Sequence, residues 1–255
     1  MQAATLAINP LFFMPAAAKA RVVASKPAVA CASCCQQGVC LPCDLGRQEL
    51  DRFGEIAATK RRVARGASLY RTGDAFEYLY AVHSGAFKTV GVSRHGEEKI
   101  TGFHLAGELL GLEAISAGRY GYGAMALEDS EVCAMSFAAL EKLALTVPAL
   151  QRQLFRALSG DISRDQGLML LLGSMSAEQR LAAFLLSLSR RYQRLGFAAE
   201  RFILRMTREE IGNYLGLTLE TVSRNITRFQ REGLLAVHQR EIELRDVARL
   251  REIVG

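Results

Sequence analysis

The hydrophobic pattern of this chain changes period once, near residue 136, and that change excludes most architectures. From about residue 47 to residue 131 the apolar residues come in short runs cut by glycine. Tyr78-Leu79-Tyr80-Ala81-Val82 precedes Ser84-Gly85, and Phe87-Lys88-Thr89-Val90-Gly91-Val92 precedes Arg94-His95-Gly96. Turn signals between β-like runs at such intervals predict a β-barrel or roll. Beyond Ser136 the spacing becomes helical, with a short helix over 136–145, a reset at Val147-Pro148, and a long amphipathic run over 149–173. Strands first and helices after make an α+β chain. The 255 residues, half of them hydrophobic and 23% charged, exclude a disordered or collagenous protein and leave room for one large domain or two smaller ones. The longest apolar stretches, Leu11-Phe12-Phe13-Met14 and Met169-Leu170-Leu171-Leu172, fall far short of the ~20 residues of a membrane span. A soluble chain with no membrane partner is expected.

The long helix carries a stripe at three-to-four-residue steps: Leu150, Leu154, Leu158, Ile162, then Leu168 or Met169, and Leu172. Such a stripe suits pairing with a second copy, so a homodimer is expected along it. Asp165 sits on the same stripe where an apolar residue belongs. A symmetric dimer would bring two Asp165 carboxylates together and oppose its own association, which predicts a marginal, switchable dimer.

Ser176-Ala177-Glu178-Gln179 and Thr207-Arg208-Glu209-Glu210 fit capping boxes, each opening a helix, and a domain boundary is expected near Ser174. After the second box, Ile211, Leu215 and Leu217 supply core contacts. Gly212 allows close helix approach, Gly216 sits where a turn needs positive φ, and Thr218 caps the next helix. This is helix-turn-helix spacing. A helical wheel places Glu220, Ser223, Arg224 and Thr227 on one face and Val222, Ile226 and Phe229 on the other. The polar face would enter the major groove of double-stranded DNA, with Arg224 on guanine O6/N7 and Glu220 accepting from cytosine N4. Arg228 and Arg231 suit phosphates. Asn225 takes a slot that is usually apolar, so either Ile226 carries the packing alone or the helix is weakened. Leu234-Leu235-Ala236-Val237 and Glu241-Ile242-Glu243-Leu244 read as the strands of a wing. The net charge of +6 permits a polyanionic partner. After residue 150 every Lys or Arg is Arg, the cation shaped for phosphate and guanine, although GC-rich coding would leave the same bias.

Five of the six cysteines fall within 31–43, as Cys31, Cys34, Cys35, Cys40 and Cys43, and Cys133 stands alone. In a cytosolic chain such clustering favours metal or redox chemistry over structural disulfides. The alanine-rich first 30 residues loosely imitate a secretory signal. They lack a positive start, and Pro10 and Pro15 interrupt the apolar part, so a poorly ordered cytoplasmic arm is expected.

In this order the pieces resemble the cyclic-AMP receptor protein superfamily and, within it, the oxygen-sensing fumarate-and-nitrate-reduction (FNR) regulators. The resemblance runs from about Cys31 to the C-terminus. Its most specific segments are Ile100-Thr-Gly-Phe-His-Leu-Ala-Gly-Glu108, Arg180-Leu-Ala-Ala-Phe184, Ile211-Gly-Asn-Tyr-Leu-Gly-Leu217 and Glu220-Thr-Val-Ser-Arg224. It implies an arm with the cysteine cluster over 1–46 and a β-roll like a cyclic-nucleotide-binding jelly roll over 47–147. A dimerisation helix over 148–174 and a winged helix-turn-helix over 175–255 would follow. It also implies an oxygen-labile [4Fe–4S] cofactor, with Cys31, Cys34 and Cys40 matching the ligand trio and Cys133, in Glu131-Val-Cys-Ala-Met135, matching the fourth ligand. Glu220, Ser223 and Arg224 match the base-reading trio, implying a site like TTGAT…ATCAA. The implied function is regulation of anaerobic transcription, without enzymatic activity. The cluster-loaded chain would dimerise, and RNA polymerase would be a partner.

Other readings stay open on the residues alone. Cys31-x2-Cys34 and Cys40-x2-Cys43 form two CxxC pairs that could hold zinc or act as a thiol–disulfide switch, but the spacer is short for a zinc ribbon and Cys133 is left over. Otherwise Cys35 and Cys43 are spectators. A cyclic nucleotide is not expected: Gly107-Glu108 is present, but Arg119 is followed by Tyr120 where a hydroxyl-bearing Ser or Thr would serve a phosphate. An iron–sulfur redox protein is the competing class. No dinucleotide-binding glycine fingerprint or P-loop accompanies the cysteines, and His83, His95, His104 and His238 are scattered as surface or loop histidines would be.

Overall fold

The computed structural model describes residues 23–25, 31–34, 38–57, 59–93 and 96–255. In chain order the elements are β1 (Val23–Ser25), α1 (Arg47–Ile56), β2 (Thr59–Val63), β3 (Ser68–Tyr70), β4 (Tyr78–Ser84), β5 (Ala86–Val92), β6 (Glu98–Leu105), β7 (Leu109–Leu110), β8 (Gly123–Ala126) and β9 (Ser130–Ser136). Then come α2 (Phe137–Ala144), α3 (Pro148–Ser174), α4 (Ala177–Arg194), β10 (Arg201–Ile203), α5 (Arg208–Leu215), α6 (Leu219–Arg231), β11 (Leu235–His238), β12 (Glu241–Leu244) and α7 (Val247–Val254). The change near residue 136 is real, and the fold is α+β with a β-roll, a long helix and a winged helix-turn-helix, but residues 47–56, expected as the start of the β-like region, are the helix α1, which buries Leu50 and Phe53 three residues apart.

Two antiparallel sheets, ordered β1-β2-β9-β4-β7 and β3-β8-β5-β6, make the roll. Alternation along β4 and β9 explains why their sequences read as unbroken apolar runs. Tyr80, Val82, Val132 and Ala134 point into the roll. Leu79, Ala81 and Met135 point the other way, into a second cluster built with helices. That cluster joins Leu41 and Leu45 of the arm, Leu50 and Phe53 of α1, Leu140 and Leu143 of α2, then Val147 and Leu150. Pro148 opens α3, where a missing N–H costs nothing.

A third sheet, β10-β12-β11, forms the wing beside α4 to α7. The core of this C-terminal unit, with Leu181, Leu185, Ile211, Val222, Ile226 and Phe229, runs on into Ile100, Phe103 and Leu105 of β6. Polar contacts cross the same boundary. Arg191 of α4 pairs with Glu108 at 2.5 Å, Asn213 of α5 accepts from the Ile100 N–H at 2.7 Å and donates to the Glu98 carbonyl at 2.9 Å, and Lys88 meets Glu210 at 2.8 Å.

Several expectations need correction. Most of the arm before Cys31 lies outside the described residues, but Val23–Ser25 is an edge strand paired with β2 rather than poorly ordered chain. Leu150 is fully buried in its own chain, because the first turn of α3 closes the helical cluster, so it is no part of a dimer surface here. His104 is no surface or loop residue: it is buried in β6 with Nε2 at 3.3 Å from Thr89 Oγ1. His83 is part of β4 and only 16% of its side chain is exposed. His95 lies outside the described residues.

Burial pushes the His104 imidazole down to about 4, with Glu108 pulling it the other way. Burial also raises Glu108, but the charge and hydrogen bonds of Arg191 more than reverse this and hold it at about 2. Both groups bind fewer protons folded than unfolded, so both stabilise the fold at neutral pH. The His104 contribution is complete above pH 6.5 and is lost as pH falls towards 4, and that of Glu108 is lost from about 4.5 towards 2. Burial holds Glu113 up at about 7, so it works the other way in the upper window. The test is a difference: the urea midpoint of the parent should lose ground against His104→Gln as pH falls from 6.5 towards 4, and both should fall alike from 4.5 towards 2. An unchanged upper slope in the variant would contradict the assignment.

Candidate metal centre and nucleic-acid interface

Cys31 opens a single 3-10 turn whose carbonyl accepts from the Cys34 N–H at 3.2 Å, and a second turn brings the Cys43 N–H to the Cys40 carbonyl at 3.1 Å. Buried Leu41 and Leu45 anchor the second turn. Cys133 occupies the middle of β9, opposite Lys60 of β2 on one side and Ala81 of β4 on the other. Being odd-numbered like Met135, it faces the arm. Cys31, Cys34, Cys40 and Cys133 thus line one pocket with Phe53, Ala57, Ala81 and Met135. All four thiols are free. Burial raises Cys40, which the nearby Cys133 raises further. It also pushes Cys133 up to about 11, against the opposing pull of Lys60. Cys31 is raised by burial and then by Cys34. Such thiols stay protonated at neutral pH until a metal cation displaces the proton.

Among the described residues, no group of three or more His, Cys, Asp or Glu side chains closes on a single ion. Zinc would need its sulfurs within ~2.3 Å of one centre. Four cysteine side chains on one pocket are also the donor set of a [4Fe–4S] cluster, which takes one sulfur on each iron. Cys43 is not in the pocket but beside Asp44 and Arg156, so the two CxxC pairs do not form one site. Cys35 lies outside the described residues.

Sequence reasoning missed the polar neighbours of this pocket. Lys60, nearly buried, holds Glu131 at 3.1 Å, and His83 Nδ1 lies 3.7 Å from Cys34 Sγ. The strand register supplies the signal for Lys60, which faces Cys133, but the β4–β9 pairing shifts between Val82 and Ser84, so only the folded structure brings His83 to the pocket. Asp44 was also missed. Its carboxylate pairs with Arg156 at 2.9 Å and accepts from the Gln153 amide, tying the end of the cysteine segment to α3.

At the other end of the chain both capping boxes form, as Ser176 with Gln179 and Thr207 with Glu210. Gly216 ends α5 at φ 64°, and Thr218 Oγ1 caps α6 by accepting from Thr221 N–H at 3.2 Å. Val222, Ile226 and Phe229 are buried, so Ile226 carries the packing and Asn225 is only half-buried. Glu220 and Arg224 are exposed on the opposite face, with Thr227 accompanying them. Thr227 Oγ1 donates to the Ser223 carbonyl at 3.0 Å. Ser223, Arg224, Thr227, Arg228 and Arg231 line one shallow concavity. Arg228 is not an idle cation: it pairs with Glu178 at 2.9 Å and Glu232 at 2.8 Å. Arg180, noted only within a motif, donates to the Leu172 carbonyl at 2.8 Å and the Leu215 carbonyl at 3.2 Å, joining the ends of α3 and α5.

Comparison with known proteins decides the family. Residues 179–253 match the Crp-like helix-turn-helix domain, and residues 60–146 match the cyclic nucleotide-binding domain. The transcriptional regulatory protein btr of Bordetella pertussis is 44% identical over 92% of this chain and 97% of its own length. The fumarate and nitrate reduction regulatory protein of Escherichia coli is 42% identical over 92% and 94%. The structure of FixK2 from Bradyrhizobium japonicum superposes with a TM-score of 0.70 at 33% identity, covering 77% of this chain and 96% of that one. The chain belongs to the CRP/FNR family.

As a CRP/FNR protein it is a DNA-binding transcription regulator and not an enzyme. Among the described residues, no helix is long and apolar enough to cross a membrane. In the roll Tyr70 stacks on Tyr120 at 3.8 Å between ring centres, and both line a pocket with Arg61, Asp74 and Tyr80. Glu108 is engaged by Arg191, and Arg119 by the Gly73 carbonyl at 2.9 Å. Along α3 the exposed apolar residues are Phe155, Ile162, Met169 and Leu170. Phe155, Ile162 and Met169 recur every seven residues, the repeat of a coiled-coil stripe, and Phe155 was missing from the predicted stripe. Leu154, Leu158, Leu168 and Leu172 are half-buried, and Asp165 is exposed beside the seam.

The turn between α5 and α6 is the tightest point of this interface. A Cβ on Gly212 would sit 2.6 Å from the Leu217 carbonyl oxygen, against backbone that has no room to move. Gly212→Ala should therefore destabilise the chain by about 1–3 kcal/mol. Denaturant unfolding measures this, and an unchanged midpoint would contradict it.

Proposed function

We propose that this regulator is a cytoplasmic oxygen switch: a [4Fe–4S] cluster held by Cys31, Cys34, Cys40 and Cys133 controls dimerisation along α3. The dimer in turn reads a TTGAT…ATCAA-like inverted repeat to regulate anaerobic gene expression. One observation carries this reading. The cysteine segment, the sheet face under Cys133 and the first turn of α3 share one hydrophobic cluster.

When bound, the cluster supplies an oxygen-labile cross-link between the arm and β9. With the arm fixed, Leu41, Leu45 and Phe53 stay packed on α2 and Leu150, and Asp44 holds Gln153 and Arg156. This sets the first turns of α3, and with them the direction in which Phe155, Ile162 and Met169 face a second copy. With the arm released, the same residues lose that support, and the repulsion of paired Asp165 carboxylates tips a marginal dimer towards monomer. A monomer reaches one half-site and loses the gain of simultaneous binding. In the dimer, Arg224 would take guanine O6/N7, Glu220 cytosine N4, and Ser223 and Thr227 neighbouring base edges, with Thr218 at the helix start and Arg228 near phosphate. Bound in this way, surface loops of the roll and the helix-turn-helix unit would meet RNA polymerase.

Two variants test the reading. Asp165→Ala should raise the dimer fraction in sedimentation of the air-exposed chain, and an unchanged fraction would remove Asp165 from the switch. Arg224→Ala should weaken binding to a TTGAT…ATCAA duplex by about 1–3 kcal/mol while scarcely affecting an unrelated duplex. Equal losses on both would make Arg224 a phosphate contact.

A further inference from the structure

Apart from its four thiols, the described wall of the cysteine pocket is apolar with one exception, His83. This residue lies near the end of β4, where the pairing with β9 shifts register between Val82 and Ser84, and its side chain lines the pocket with Ala81 and Cys133. Its Nδ1 is 3.7 Å from Cys34 Sγ, a distance at which sulfur accepts a hydrogen bond. Its Nε2 is 3.7 Å from Glu131 Oε2, beyond hydrogen-bond reach. Glu131 is already held by Lys60 at 3.1 Å and Arg62 at 3.4 Å. The carboxylate therefore places no demand on the imidazole proton, and the sulfur is the acceptor left for it. A neutral imidazole carries one N–H, and here it belongs on Nδ1.

We propose that His83 donates a hydrogen bond from Nδ1 to the Cys34 sulfur and thereby sets how fast oxygen strips the cluster from this chain. The inference rests on the iron–sulfur reading above. Hydrogen bonds to ligand sulfur draw electron density from the thiolate and favour the reduced state, which makes the site harder to oxidise. Removing a partner of this kind typically changes metal-site behaviour by about 10–100-fold. His83 is a positioning residue, acting on iron only through Cys34.

The experiment uses the full chain, loaded without oxygen, and compares it with His83→Leu and His83→Asn. The asparagine amide N–H replaces that of Nδ1 and leucine offers none. Visible absorbance after an air pulse should decay about tenfold faster in His83→Leu and near the parent rate in His83→Asn. The iron–thiolate stretching bands in resonance Raman spectra should move in His83→Leu and stay in place in His83→Asn. A merely structural role would not produce that pattern. The parent chain labelled with ¹⁵N-histidine supplies a readout that needs no variant. After reduction, its electron spin-echo spectrum should show weak coupling to a histidine nitrogen. Parent decay rates and bands in a loaded His83→Leu, or no histidine coupling in the loaded parent, would overturn the assignment while leaving the iron–sulfur reading intact. A parent that takes up no iron and sulfide would overturn both.

Discussion

One hydrophobic cluster governs how this molecule can work. Leu41 and Leu45 from the cysteine segment, Phe53 from α1, Leu79 and Met135 from the sheet, and Leu150 from α3 occupy the same interior. Dense packing of this kind transmits displacement, because a side chain that leaves deprives its neighbours of contacts they have no other way to make. A change in the cysteine segment is therefore felt at the base of α3. The Asp44 contacts with Gln153 and Arg156 add a directional tie at the same place, since polar contacts specify geometry where apolar packing specifies only proximity.

From the base of α3 the coupling continues to the other end of the molecule. Arg180 bonds the last turn of α3 and the last turn of α5, so α3 and the helix-turn-helix share a fixed corner. The DNA-reading unit is also held against the roll by the Arg191–Glu108 pair and by Asn213 on the backbone of β6. Breaking a buried pair by removing one partner leaves an uncompensated charge, so this contact favours one relative arrangement of the two units. Glu108 thus serves as a structural joint between the roll and α4.

The helix-turn-helix was legible because its constraints are local. A capping box, a glycine forced by close approach, a glycine forced by positive φ and a capping threonine each have their own chemical reason, and each formed as expected. The choice of Cys31, Cys34, Cys40 and Cys133 as a ligand set came only through resemblance, since spacing alone left zinc open. What the sequence concealed was register and face. Leu150 lies on the apolar stripe but is turned inward by the cluster beneath it, and Phe155, off the stripe as drawn, completes the exposed seam. His104 and His83 read as scattered polar residues until the pairing of β4, β6 and β9 placed one in a core and the other beside Cys34. Arg228 read as a free cation until the fold brought Glu178 beside it, fifty residues away in the chain.

The central claim is that a cluster on Cys31, Cys34, Cys40 and Cys133 governs pairing along α3. The most direct test follows visible absorbance and sedimentation together on anaerobically purified chain through a pulse of air. The account predicts a broad band near ~400 nm that bleaches or reshapes as the dimer gives way to monomer on the same time course. A chain that stays colourless and free of iron after reconstitution, or one whose dimer is indifferent to loss of the band, would contradict it.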